Sequence, residues 1–479
     1  VSKSRIRFYD LIVESTVAGA NAYIGGIVFD TCSYCVVRGC NIIGFQWAGV
    51  YLANSTYCRI KDNYFGTMLG TVSDACDIQV YYNSTDNIIE GNHCFGARVV
   101  GINVQDPGGA GTYLPARNIV RNNIIGAHTG YGINIYVGST SNVRNSDNIV
   151  DGNYIEGITG AADSATKGSG IYCVGHGLGG LRVVNNRIHN CCTATTSLSN
   201  APAGISIAGF GPSAGITGAV KPVVEGNSVS GMAQAHGIAV TSCYSGCVVG
   251  PNSVEMPATN DGTGAGGATL VGVGLSINTS NQVNVSGGSY VNLGSSDAIL
   301  VKAASSDISD ISLTGIHAKS AAAYAFRSTR SSTYRIARLI VNGITGASVG
   351  VFSVDALDYS QINGFSVTSS ATYAAEIYRC VTCTFSHNTL NGGSNFALLT
   401  SGTCTGSTVD LSNILTGKVE NGGTGLIVTR YGTAAPGTGT AAVGDMVVNS
   451  AIAAAGTPNW NCTTAGTPGT FKAGAAIAA

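Results

Sequence analysis

NIVDGNYIEG, residues 148–157, is the stretch on which the fold turns: apolar residues, a tight polar bend, then apolar residues again. The same phrase recurs as CVVRGCNIIG (35–44), NIIEGNHCFG (87–96), NIVRNNIIG (118–126), LRVVNNRIHN (181–190) and PVVEGNSVSG (222–231). Self-similarity of this length marks a solenoid, because one copy cannot bury its apolar side until the next stacks upon it.

The spacing chooses among solenoids. Asn41 and Asn63 are 22 residues apart and Asn186 and Asn227 are 41 apart, whereas helical repeats keep a nearly constant length. Apolar residues alternate, as in Ile78/Val80, Ile102/Val104, Ile133/Ile135, Ile171/Cys173 and Ile205/Ile207, which is the period of a strand with one face inside. The expectation is therefore an all-β parallel β-helix of three-strand coils, about 14 rungs, whose insertions swell outward loops while the strands keep register. Asn and Gly at the bend fit a corner that needs a positive φ.

The rhythm occupies residues 1–415. TGKVENGGTG (416–425) reads as a linker, and residues 426–479 read as a small C-terminal β module. RIRFYDLIVE (5–14) already reads as part of a coil, so a preceding portion is expected upstream of Val1.

Composition agrees. Charged residues make up 10% of the chain against roughly 25% in ordinary globular domains. A net charge of -1 without any basic run gives no reason to expect nucleic acid as a partner, and the sequence holds no apolar run long enough to predict a membrane span. Of fifteen cysteines, the Cys32/Cys35 and Cys380/Cys383 pairs lie too far apart to share one metal. Cys40, Cys58, Cys76, Cys94 and Cys173 sit at apolar strand positions or beside bends, where Cys behaves as a small stacked hydrophobe. No metal or cofactor is expected.

Chemistry is expected on the outside of the coil. Aligning the coils puts Tyr51, Gln79, Asn103, Asn134, Tyr172 and Ser206 in one outward column, with Asp30, Ala53, Tyr81, Gln105, Tyr136 and Val174 two residues along. Rings and amides on a flat sheet suit sugars, since rings stack on pyranose faces and amides bond hydroxyls directionally. Loops 106–117, 157–169, 189–203 and 209–221 would wall a groove there. Cleaving a glycosidic bond commonly takes two carboxyl groups. Asp77 and Asp106 flank the early sheet, too far apart to be partners, with Asp163 in a nearby loop. In the late half Lys302, Arg327, Asp355, Glu376, Tyr378 and Arg379 fall on or near the corresponding strand, and Asp355 and Glu376 are expected about 8 Å apart, one coil and two residues removed. Elimination from a uronic acid would instead need a base such as His128, Tyr131, Tyr172 or His176.

The coil pattern with its NIIEGN and NIVDGN bends resembles the pectin-lyase-like right-handed parallel β-helix. WNCTTAGTPGT (460–470) resembles a short C-terminal element of bacteriophage tailspike and tail-fibre proteins. Together these resemblances imply a tailspike depolymerase, a homotrimer that binds and cuts capsular polysaccharide or O-antigen. They also imply a virion-tail location, with attachment to the tail or baseplate through an N-terminal part that this chain lacks. Hydrolysis is the expected chemistry; a lyase and a binding-only adhesin are the alternatives. The Gly-Ala-x-x-Asp-Gly-x-Thr-Asp-Asp opening segment typical of such helices is absent here, and no catalytic position carries over, because these enzymes vary their active carboxylates from spike to spike. Small uncharged stretches at 265–300 and 312–325 offer faces that sister chains could pack against.

Overall fold

The computed structural model describes the chain except residues 1–2, 17–24, 70–74, 97–98, 107–112, 138–145, 161–167, 176–177, 193–201, 210–219, 233–234, 245, 259–271, 332, 370–372, 411, 423, 438, 452–455 and 476–479. The fold is an all-β, right-handed parallel β-helix. It divides into two compact units, Val1–Ser276 and Ile277–Ala479.

In the first unit each coil contributes one strand of up to six residues and two short ones. Cys76–Tyr81, Ile88–Glu90 and His93–Cys94 form one coil, and Val100–Gln105, Ile119–Arg121 and Ile124–Gly126 form the next. Every strand pairs in parallel with its counterpart, so that Ile78 meets Ile102, Ile89 meets Val120 and Cys94 meets Ile125. These side chains are fully buried. Burying each contributes on the order of 1.5–3 kcal/mol, which is where the unit gains its stability.

Polar ladders run beside the apolar ones. Asn63, Asn92, Asn123, Asn153, Asn186, Asn227 and Asn252 are buried in one column, and each side-chain amide donates to the next at 2.9–3.0 Å. The same amides cap carbonyls of the preceding coil, as Asn123 does for Ile89. The left-handed residue of this corner is the one before the ladder asparagine: Asp62, Gly91, Asn122, Gly152, Asn185 and Gly226 all have φ between 54° and 69°. A corner of this shape turns the chain while the following Asn satisfies the backbone groups it frees.

A column of glycines marks where the six-residue strands approach the interior. Gly49, Gly101, Gly132, Gly170, Gly204 and Gly237 occupy matching positions, and a Cβ at Gly101 would lie 2.6 Å from Ile125, while one at Gly132 would lie 2.5 Å from Ile155. Side chains at this position point inward, although strict alternation along the strand assigns them outward.

In the second unit Ile308–Arg330 and Ile336–Asp355 are long bent strands that pair along most of their lengths, with a register shift between Ser320 and Tyr324. Phe352 packs against Phe365 and Phe385, at centroid distances of 5.2 and 6.2 Å. The parallel ladder runs on through Ile414–Asn421 and Thr424–Gly432, so residues 416–421 and 424–425, expected in a linker, lie in paired strands. Beyond them Met446–Asn449, Asn459–Thr464 and Thr470–Ala473 pair antiparallel. Asp445 joins this sheet to the ladder by accepting from Asn421 and from the Val428 backbone at 2.8 and 3.0 Å.

Candidate functional site

Two outer faces, one in each unit, carry the residues expected to act. In the first unit the register places Tyr51, Gln79, Asn103, Asn134, Tyr172 and Ser206 in a single column. Ala53, Tyr81, Gln105, Tyr136 and Val174 form the column two residues along. The amides of the first column are engaged with one another: Asn134 donates to Asn103 at 2.8 Å, and Asn103 to Gln79 at 3.0 Å and to Gln105 at 2.8 Å. Gln79 and Asn103 are buried, so this column is a rigid polar floor and not a row of open donors.

The accessible part of that face is aromatic. Trp47 packs on Tyr51 at 4.5 Å, Tyr51 on Tyr81 at 6.0 Å, Tyr81 on Tyr82 at 4.5 Å and Tyr82 on Tyr113 at 4.9 Å. One turn further, Tyr131 and Tyr172 stack with centroids 4.8 Å apart and planes 8° from parallel. Burial pushes the phenols of Tyr51, Tyr136 and Tyr172 up, with Asp106 adding to the effect at Tyr136. Trp47, Tyr82 and Tyr113 lie outside the strands, so no strand alignment could place them. The loops expected to wall this face, with Asp163, and His176 lie largely or wholly outside the described residues.

The early carboxylates stand differently from expectation. Asp77 is not on the outer face. It takes the place of a glycine in the inward column, is fully buried, and lies 3.6 Å from the equally buried His128. His128 contacts the Cys94 carbonyl at 3.1 Å. A close approach to the neighbouring strand turns this position inward, so Asp77 and His128 form an interior pair and both are withdrawn from any role at the surface. Asp106 is also buried, at the end of Val100–Gln105, where its N–H donates to the Tyr136 carbonyl at 2.9 Å.

The second unit gathers the remaining candidates. Arg327, Ser353 and Glu376 are register partners on successive strands, and Asp355 is the partner of Tyr378. Glu376 therefore lies one coil and two residues from Asp355. The Ser353 hydroxyl bonds Glu376 at 3.2 Å, and the phenols of Tyr324 and Tyr378 face the same carboxylate closely enough to interact with it electrostatically. Tyr324 reaches Glu376 across the intervening strand because Gly350 leaves room: a Cβ there would lie 2.2 Å from the Tyr324 ring. Burial pushes the Tyr324 and Tyr378 phenols up, and Glu376 adds to it.

Cations surround this face. Arg379 clamps Asp355 through both arms of its guanidinium, one of them at 2.7 Å, and Arg330 stands 4.0 Å away. Arg327 pairs with Asp297 at 3.3 Å and lies over the Tyr324 ring, 5.0 Å from its centroid. Asp297 is buried and accepts from the Tyr324 backbone at 3.1 Å; burial pushes its carboxyl up, and Arg327 opposes this. Lys302 is the register partner of Thr329, beside the same face. Sequence alignment missed Asp297, Tyr324 and Arg330. Among the described residues no group of three or more His, Cys, Asp or Glu side chains could hold a metal ion.

Residues 11–212 match the family described as right handed beta helix region. No curated protein matches the sequence. Among solved structures, the chain is similar to the mannuronan C-5 epimerase AlgE4 A-module of Azotobacter vinelandii, with 11% identity over 89% of this chain and 91% of that one, at a TM-score of 0.40. It is similar to the Dettilon tailspike protein at 13% identity over 82% and 62% of the two chains, with a TM-score of 0.39. The tailspike protein of E. coli bacteriophage HK620 is 12% identical over 99% and 74%, with a TM-score of 0.38.

Proposed function

We propose that the chain binds and depolymerises a bacterial surface polysaccharide, capsule or O-antigen, by endo-glycosidic hydrolysis on the face that carries Asp355 and Glu376. One arrangement supports this most: two carboxyl groups on adjacent strands of one outer face, each held by a different kind of partner. Hydrolysis with inversion asks for carboxyl groups roughly 6.5–9.5 Å apart, one to protonate the leaving oxygen and one to activate water. One coil and two residues of strand correspond to about 8 Å.

The partners divide the roles. Asp355, held in place by the Arg379 clamp, is positioned to take a proton from water. Glu376 touches hydroxyl groups, which both donate and accept, and is suited to deliver a proton to the leaving oxygen. Arg327 and Tyr378 flank the pair and would orient the sugar. The aromatic face of the first unit, from Trp47 through Tyr113, would by itself bind sugar rings by stacking. The tailspike resemblance of residues 460–470 extends the proposal to a homotrimer on a virion tail, acting outside the host cell, with residues 426–479 setting the register of the three copies.

Elimination is the second reading. Against it stands the upward push on Tyr324 and Tyr378, which keeps either phenol protonated near neutral pH and so not present as a base. Incubation with capsules and lipopolysaccharides of candidate hosts, followed by mass spectrometry, tests the proposal. Saturated oligosaccharides with new reducing ends are expected. Fragments lighter by one water would establish elimination, and binding without fragments would make the protein an adhesin.

A further inference from the structure

All fifteen cysteines are buried and none is bridged. Six of them fall into two trios of the same construction. In the first unit Cys35 lies between Cys32, three residues earlier, and Cys58, one coil further on. Val36 pairs with Arg59, which makes Cys58 the register neighbour of Cys35. The Cys35 thiol is in side-chain contact with both. In the second unit Cys380 lies between Cys383, three residues later, and Cys404, one coil further on, and is in side-chain contact with both. Thr384 pairs with Thr408, and the same offset carries Cys380 onto Cys404.

The two trios also share their backbone. The third residue of each Cys-x-x-Cys segment is left-handed, Tyr34 at φ 56° and Thr382 at φ 51°, so both segments turn the same corner between their two cysteines. Parallel neighbours lie about 4.8 Å apart, inside the 4.4–6.8 Å separation of Cα atoms that a disulfide accepts. Within the trios the thiols donate to nearby carbonyls, Cys35 to Ser33 at 3.6 Å, Cys380 to Tyr378 at 3.4 Å and Cys404 to Ser401 at 3.9 Å. Cysteines outside the trios bond in the same way, as Cys40 does to Arg38 and Cys191 to His189, so the trios are set apart by their register and spacing alone.

We propose that each trio is a redox site that closes one disulfide through its middle cysteine, Cys35 or Cys380, with either of its two neighbours. The oxidant is a small-molecule disulfide such as oxidised glutathione. A protein thiolate attacks it, a mixed disulfide forms with release of one glutathione thiolate, and the second protein thiolate displaces the other glutathione. One oxidised glutathione becomes two reduced molecules, and two protein thiols become one bridge. The third thiol of the trio stays in contact and can exchange with the bridge. When the bridge joins Cys58 or Cys404 it ties two successive coils together.

The test is to refold the full chain in a glutathione redox buffer, alkylate the remaining thiols and map the digested peptides by mass spectrometry. Two bridges per chain are expected, one linking Cys35 to Cys32 or Cys58, the other linking Cys380 to Cys383 or Cys404. Cys58→Ser and Cys404→Ser are each expected to keep two bridges, because Cys32 and Cys383 remain. Cys35→Ser and Cys380→Ser are each expected to lose one. Alkylation of all fifteen cysteines in the unmutated chain, or bridges among other cysteines, overturns the proposal without reference to any variant. Bridges that persist unchanged in Cys35→Ser overturn it as well.

Discussion

Glu376 stands two residues short of Tyr378, the register partner of Asp355 on the neighbouring strand. Because the ladder fixes that offset, the two backbone positions cannot change separation without moving a whole coil. Their partners follow from the same ladder, since Arg379 comes directly after Tyr378 and reaches back to Asp355.

Removing the clamp should separate stability from activity. The Arg379 side chain is 49% exposed, and pairs of this kind contribute about 0–1 kcal/mol to folding. Arg379→Ala is expected to melt close to the parent while depolymerisation falls at least tenfold, with kcat affected more than KM. Thermal melts beside reducing-end assays check both halves.

Gly350 offers a lever on Glu376 that touches neither carboxylate. Gly350→Ala would put a methyl group against the Tyr324 ring and displace its hydroxyl from Glu376. Activity should fall while the circular dichroism of the coil stays unchanged. Tyr324→Phe should reproduce the loss if the hydroxyl is what matters.

The Asp297–Arg327 pair makes stability depend on pH. Burial raises the Asp297 carboxyl, so the folded chain holds this proton more tightly than the unfolded one. Its contribution is therefore largest below the ordinary value of 3.8 and declines as pH rises through the raised folded value, after which Arg327 offsets the buried charge. Arg327→Ala should cost about 1–3 kcal/mol at neutral pH and less below pH 3.8, where the raised Asp297 carboxyl is protonated. Denaturant titrations at the two pH values measure the difference.

Asp77 and His128 form a pair inside the first unit. Removing one partner of a buried polar pair costs about 1–3 kcal/mol. Asp77→Ala, which keeps a Cβ and leaves His128 buried, should destabilise the chain by this amount in urea titrations. The charge-removing Asp77→Asn should cost less.

Much of this was legible in the sequence because a solenoid makes register a matter of counting. The recurring Asn bends and the alternating Ile and Val pairs showed which residues share a column, and the same count set Asp355 and Glu376 one coil and two residues apart. Asp77 was placed on the wrong side because strict alternation fails at the glycine column, where the strand approaches the interior. Tyr324 escaped notice because the register shifts between Ser320 and Tyr324, so no fixed interval leads to it. Asp297 meets Arg327 from outside any strand, and Trp47, Tyr82 and Tyr113 likewise reach the aromatic face from turns and loops. Residues 416–425 read as a connector because polar Gly-rich sequence looks alike in a linker and in an exposed ladder strand.

The most direct measurement is release of reducing ends from host polysaccharide by the intact chain and by Glu376→Gln, with binding of the same polysaccharide followed in parallel. The account predicts cleavage by the parent, a loss of roughly 10²–10⁴-fold in the variant, and retained binding by both. Equal cleavage by the two proteins would contradict it, because Glu376 would then take no part in breaking the bond.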